Sequence, residues 1–375
     1  MKQLSHWPRK HAVAVSLAAT LLASVSLANA AELRWSSPTD PQTMDPHAVS
    51  SAPVLGFLNN VYEGLVRRNK DMAIEGSLAE SWEPLGGDGW RFHLREGVKF
   101  HDGADFTAED VLFSYERASS EASDVSSWFA PVREVKVVDD YTIDFLTHAP
   151  DPIFPDSIAN FMILDKGWAE ANGAELPAKD AETHATLNAN GTGPFKLSAR
   201  EPGVETVLEA NEGWWDEAEH NLTRATFLPI ANPATAVAGL LSGQVDLIEP
   251  VPVQDVGRIE AQDGLTLHRG IEARVIMLGF GHDHEALKYP EDTTDKNPFQ
   301  DAKVRTAVQK AINAEALVDK IMRGNAEVAS QLVSPQMKGY SAAASERIGY
   351  DPDGARTLLA EAGYPDGFCF GLKCP

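Results

Sequence analysis

Between residues 79 and 117 the spacing of hydrophobic positions changes from two to nearly four, and the change predicts a strand, a turn and a helix. Trp90, Phe92 and Leu94 alternate with Arg91, His93 and Arg95, the period of a half-buried strand. Val98 and Phe100 resume the alternation after Glu96-Gly97. His101-Asp102-Gly103 then forms a turn in which glycine supplies freedom that a β-carbon would forbid. Thr107 is an N-cap with Asp110 three residues on, a variant of the capping box. Val111, Ser114, Tyr115 and Ala118 follow at helical spacing.

The same reading extends along the chain. Residues 33–36 make a first strand, and residues 56–65 a short helix with Phe57, Val61 and Leu65 on one face. Residues 135–146 form a hairpin around Asp139-Asp140. A strand begins at Phe195 and Leu197, turns at Glu201-Pro202-Gly203 and returns over 204–210. Residues 233–243 form a helix that buries Ala236, Val237, Leu240 and Leu241, before a strand at 245–248. Residues 265–278 carry strand patterns on both sides of Gly270. Helices follow after the caps Asp301, Asn313 and Asp351, with Val304, Val308, Ala311 and Ile312 as the buried face of the first. Residues 367–375 read as a last strand. The chain is α/β.

At 375 residues this is one large domain or two. There are 55 acidic against 32 basic side chains, a net charge of −23, which argues against nucleic acid or an anionic membrane as partner. Lys2, Arg9 and Lys10 precede an apolar run over 12–28. Ala28-Asn29-Ala30 then fits a cleavage site, so residues 1–30 read as a signal peptide for export. Cys369 and Cys374 are the only cysteines. In an extended segment they stand roughly 16 Å apart at about 3.3 Å per residue, too far for a disulfide unless the strand folds back.

The motifs SWE at 81–83, LREGVKFHDG at 94–103 and TAEDV at 107–111 together resemble the signature of the family 5 extracellular solute-binding proteins. These are peptide-, dipeptide- and nickel-binding receptors of ABC importers. GTGPF at 191–195 and NPFQDAKVRTAVQKAI at 297–312 resemble further blocks of that family. The resemblance implies an α/β, two-lobe periplasmic binding protein (type II, Venus-flytrap) with an extra subdomain in the first lobe. Residues 31–270 form that lobe, with the insertion at about 60–190, and residues 271–375 an incomplete second lobe. The crossover falls near 269–274. In the family a loop after DPH, here residues 45–47, runs along the ligand cleft and contacts a bound peptide through its backbone. That points to Ser50, Ser51 and Ala52. Trp128 either walls the cleft, as a neighbouring loop does in oligopeptide-binding relatives, or packs on its own domain. Thr192, Gly193 and Phe280 are carried over from the family in the same way.

The function so implied is capture of a short peptide or similar small solute by lobe closure, and delivery to a membrane permease. The protein is expected to be periplasmic and monomeric, without cofactor, catalytic residue or metal. A secreted hydrolase is the alternative, but it lacks G-x-S-x-G and HExxH motifs. The run His282-Asp283-His284-Glu285 suggests a metal, yet it sits in a predicted loop without a third fixed ligand. Family members continue well past the length seen here, so a shortened, non-functional receptor is a further expectation. In that case the family's acidic partner for a peptide α-amino group falls outside the chain.

Overall fold

The structure, a computed structural model, describes residues 30–179, 181–270, 274–287, 294 and 296–373. The signal-peptide expectation for residues 1–29, and Cys374, lie outside the described residues; Cys369 is exposed.

A five-stranded sheet is built around β1 (Ala31–Ser36). β10 (Leu222–Phe227) and β11 (Leu247–Ile248) flank it, both parallel to it. The sheet continues antiparallel through β9 (Glu205–Ala210) to β8 (Phe195–Glu201). Trp35 of β1 stacks on Phe57 at 5.8 Å, and both meet Phe227 of β10 edge-on, at 5.2 and 5.4 Å. This aromatic triangle, with Val54, Leu58 and Leu208, is the core of the sheet.

A second body lies between β1 and β8 in the chain. The pair β2 (Val66–Arg68) and β3 (Ile74–Gly76) precedes a four-stranded antiparallel sheet. In that sheet β4 (Ala79–Pro84), β5 (Gly89–Leu94), β7 (Thr142–Thr147) and β6 (Val132–Asp139) lie in this order. The alternation read at 90–95 holds: Phe92 and Leu94 are buried and Arg91 pairs with Asp144 across the ladder at 2.7 Å. Helix Ala108–Ala118 starts as its capping sequence predicts, with the Asp110 carboxylate accepting the Thr107 N–H at 2.9 Å. Phe92, Phe145, Phe154 and Phe161 are wholly buried between helix and sheet.

After β11 come helices without strands, among the described residues. Helix Ala302–Ala311 buries Val304 and Ala307 and packs on helix Pro352–Glu361. Lys303–Glu361 and Lys310–Asp351 pairs, at 2.9 and 2.8 Å, clip the two together.

Four expectations need correction. The first helix is Ala52–Leu58 and not 56–65: Pro53 fits its first turn, where no N–H is needed, and so starts the helix earlier. Ala311, expected on the buried face, is exposed, and Ala307 takes its place. Residues 265–270 and 274–278 form no strand, because a strand persists only in a ladder and none lies beside them among the described residues. The described residues 367–373 are likewise not a strand; Phe368 and Phe370 fold edge-on against Phe299 instead, at 5.7 and 5.0 Å.

Candidate functional site

From Pro41 to Val49 every residue but Gln42 is buried; the next four, Ser50, Ser51, Ala52 and Pro53, are all exposed. The exposed four form a lip that leads into helix Ala52–Leu58. Ser51 is its N-cap in extended geometry, and its side chain makes no capping bond. The N–H groups of Ser51 and Ala52 donate to no described residue, so this lip can offer backbone hydrogen bonds to a solute.

A buried ion pair holds the chain just before the lip. Arg117, at the end of helix Ala108–Ala118, donates to both Asp45 oxygens at 2.7 and 2.6 Å, with both side chains out of solvent. Its Nη1 also donates to His47 Nδ1 at 3.0 Å, and its Nε to the Ala174 carbonyl at 2.9 Å. A guanidinium only donates, so Nδ1 is the acceptor and the imidazole proton sits on Nε2, which donates to the Met162 carbonyl at 2.9 Å. Burial, reinforced by the Arg117 charge, pushes the His47 pKa down to about 3 and keeps the ring neutral. Thus the DPH sequence is a structural latch.

The GTG sequence is a second latch, where the chain returns from the four-stranded body to the main sheet. Gly193 N–H donates to the Val61 carbonyl at 3.0 Å and Phe195 N–H to Asn60 at 3.0 Å. A β-carbon on Gly191 would run into the Val61 carbonyl, and one on Gly193 would lie 2.7 Å from it. His101 brackets the same loop: its ring accepts the Gly191 N–H at Nδ1 and donates from Nε2 to the Gly193 carbonyl at 3.0 Å. Burial moves its pKa down to about 4. Beneath the loop Glu63 accepts bonds from the Thr192 hydroxyl at 2.8 Å, Trp215 Nε1 at 2.8 Å and Trp214 Nε1 at 3.2 Å. Burial pushes the Glu63 carboxyl up, and these three donors oppose it.

The residues carried over from the family therefore fall in four places. Ser50, Ser51 and Ala52 share the exposed lip. Thr192 and Gly193 are buried in the crossover, with the Thr192 hydroxyl and the Gly193 N–H and carbonyl already bonded within the chain. Trp128 is half-buried and packs against the cores of both bodies. Phe280 stacks on Phe299 at 4.7 Å in the helical region after β11. Two surface concavities, of about 350 Å³ beside Arg269 and Arg323 and about 600 Å³ beside Glu80 and Asp139, include none of the seven. Among the described residues no group of three His, Cys, Asp or Glu side chains is placed to hold a metal, and His282 and His284 lie in a loop.

Sequence reasoning missed Arg117, Glu63 and Asp124, which do most to fix this geometry. Arg117 sits in the last turn of helix Ala108–Ala118, and its partner Asp45 is 72 residues away, so spacing alone gives no hint of the pair.

The topology is that of the type II periplasmic binding proteins. The profile of the bacterial extracellular solute-binding proteins, family 5 Middle, matches residues 73–373, and the chain belongs to this family. It is 29% identical over 330 residues to the glutathione-binding protein GsiB of Salmonella paratyphi A, covering 87% of this chain and 60% of that protein. The periplasmic binding protein DppA of Helicobacter pylori, solved with the peptide STSA, superposes with a TM-score of 0.70 at 26% identity. That match covers 90% of this chain and 67% of DppA. NikZ from Campylobacter jejuni, solved with Ni(L-His), shares the fold with a TM-score of 0.72 at 24% identity, over 91% of this chain and 66% of NikZ. The chain thus spans about 60% of the length of the GsiB relative. Members of the family are binding proteins and not enzymes. No helix among the described residues is long and apolar enough to cross a membrane.

Proposed function

We propose that this chain is the substrate-binding component of an ABC importer, exported to the periplasm, and that it captures short peptides. Its first lobe is residues 31–270, with an insertion at about 60–190, and residues 271–375 belong to the second. The solute lies along the lip Ser50–Ser51–Ala52, with Trp128 and Phe280 as apolar neighbours on closure, and the protein then delivers it to the membrane permease as a monomer. The observation that carries this reading is the abrupt change from a buried, latched run to four exposed residues, of which Ser51 and Ala52 have backbone donors to spare. A peptide backbone satisfies such donors whatever its side chains, which suits a receptor for varied peptides.

The test is hydrogen exchange of the purified chain with and without the tetrapeptide Ser-Thr-Ser-Ala, reduced glutathione or Ni(L-His). Slower exchange at residues 50–54 with the tetrapeptide, which mass spectrometry then recovers intact, is the expected result. Protection by glutathione or Ni(L-His) alone overturns the peptide assignment, and new amino termini released from the peptide would favour a hydrolase.

A further inference from the structure

The residues before the lip are fixed by Arg117, but its bonds stop at His47. Among the described residues, one side chain reaches the exposed four. Asp124, in the turn after helix Ala108–Ala118, accepts through Oδ2 both the Ser50 N–H at 3.0 Å and the Ser50 hydroxyl at 2.8 Å. Its own backbone is tied to the other end of the latch. The His47 carbonyl accepts from the Asp124 N–H at 3.0 Å and from the Ser123 hydroxyl at 3.1 Å. Oδ1 of Asp124 faces Lys179 Nζ at 3.4 Å, a half-exposed pair worth little by itself. Two bonds to one carboxylate oxygen hold both the main chain and the side chain of Ser50.

We infer that Asp124 is the positioning residue of the lip: it holds Ser50 so that the N–H groups of Ser51 and Ala52 face outward in one fixed geometry. This rests on the reading that the lip meets the solute. Preorganising those donors removes an ordering cost that binding would otherwise bear. The carboxylate does this as a hydrogen-bond acceptor, and its charge toward Lys179 is incidental. An amide oxygen in the same place can therefore substitute for it.

The experiment compares Asp124→Ala, Asp124→Asn and Lys179→Ala with the unaltered chain. Amide exchange at residues 49–54 is read without ligand, and affinity for Ser-Thr-Ser-Ala is read by calorimetry. Asp124→Ala is expected to speed exchange of the lip at least about tenfold and to weaken the tetrapeptide about fivefold, with exchange in β5 unchanged; a tenfold change in exchange corresponds to about 1.4 kcal/mol. Asp124→Asn is expected to restore most of both, and Lys179→Ala to change neither. If Asp124→Ala leaves exchange of the lip unaltered, or if Asp124→Asn behaves like Asp124→Ala, the positioning role is wrong. If exchange speeds up while tetrapeptide affinity stays the same, positioning stands and the lip is not the contact surface. Since exchange is measured without ligand, absence of tetrapeptide binding leaves the first judgement intact.

Discussion

The two halves of the described chain fold by different means. Up to β11 the apolar positions meet across sheets: Phe92, Phe145 and Leu58 are buried to the last few per cent, and carbonyls and N–H groups find ladder partners. After residue 264 the polar contacts remain, in the Lys303–Glu361 and Lys310–Asp351 pairs, but large apolar side chains stand in water. Ile276 is 84% exposed and Met277 63%. Hydrophobic pattern alone thus does not make a strand; the pattern must have a second surface against which to bury it. The first half supplies that surface to itself, whereas residues 274–278 find none among the described residues.

The sharpest way to break this contrast is to remove the most buried charge. Arg117→Met strips a buried carboxylate of its partner, and is expected to cost about 3–5 kcal/mol in a urea melt; Phe92→Ala should cost about as much by opening a cavity. A loss below about 1 kcal/mol for both would mean that the first half is not the cooperative core described above. Next in size is Gly191→Ala. Its β-carbon meets backbone, which cannot swing aside as a side chain can, and about 2–3 kcal/mol should be lost.

Acid should act on the first half through His47. The folded pKa, about 3, lies below the ordinary value of 6.5, so the neutral ring adds stability that is fully present above pH 6.5 and fades as pH falls toward 3. By pH 5 about 2 kcal/mol should be gone. A His47→Gln variant should flatten that part of the curve. Glu63 works in the other direction: its raised pKa gives a contribution present below the usual carboxylate range and lost as pH climbs through the folded value. The smallest effect is expected for Ile276→Ser, within about 0.5 kcal/mol, since the side chain is already in water. A cost above 2 kcal/mol would show that this segment is buried in solution and would close the gap between the halves.

Much of the first half could be read from local sequence. The strand around Phe92, the Thr107–Asp110 cap, the hairpin at 135–146 and the return strand from Phe195 rest on neighbours a few residues apart, where period and turn chemistry decide. β10 escaped notice, although Ala225 and Phe227 alternate with Arg224 and Thr226, because what holds it as a strand is its pairing with β1, far off in the chain, as well as with β9. The lip was reached through family resemblance and not through residue chemistry. Ser50, Ser51 and Ala52 carry no pattern of their own, and what makes them a candidate site is the buried run before them and the carboxylate of Asp124 beside them. Asp45, His47 and Arg117 show why such sites resist reading: each is an ordinary polar residue until folding removes its water.

The crossing at Val61 and Gly193 has a consequence for how chains of this kind change over time. The chain from residue 64 to 190 leaves the main sheet and returns to it at one crossing, where backbone bonds from Gly193 to Val61 and from Phe195 to Asn60 join the two sides, while the Arg117–Asp45 pair ties the excursion down a second time. Lengthening a closed excursion adds little entropy cost, about 0.6 kcal/mol for each doubling of a flexible loop. Its outer reaches are thus free to gain, lose or exchange segments while the crossing keeps the parent sheet in register. Engineers who wish to graft a reporter onto this scaffold should leave the two glycines alone.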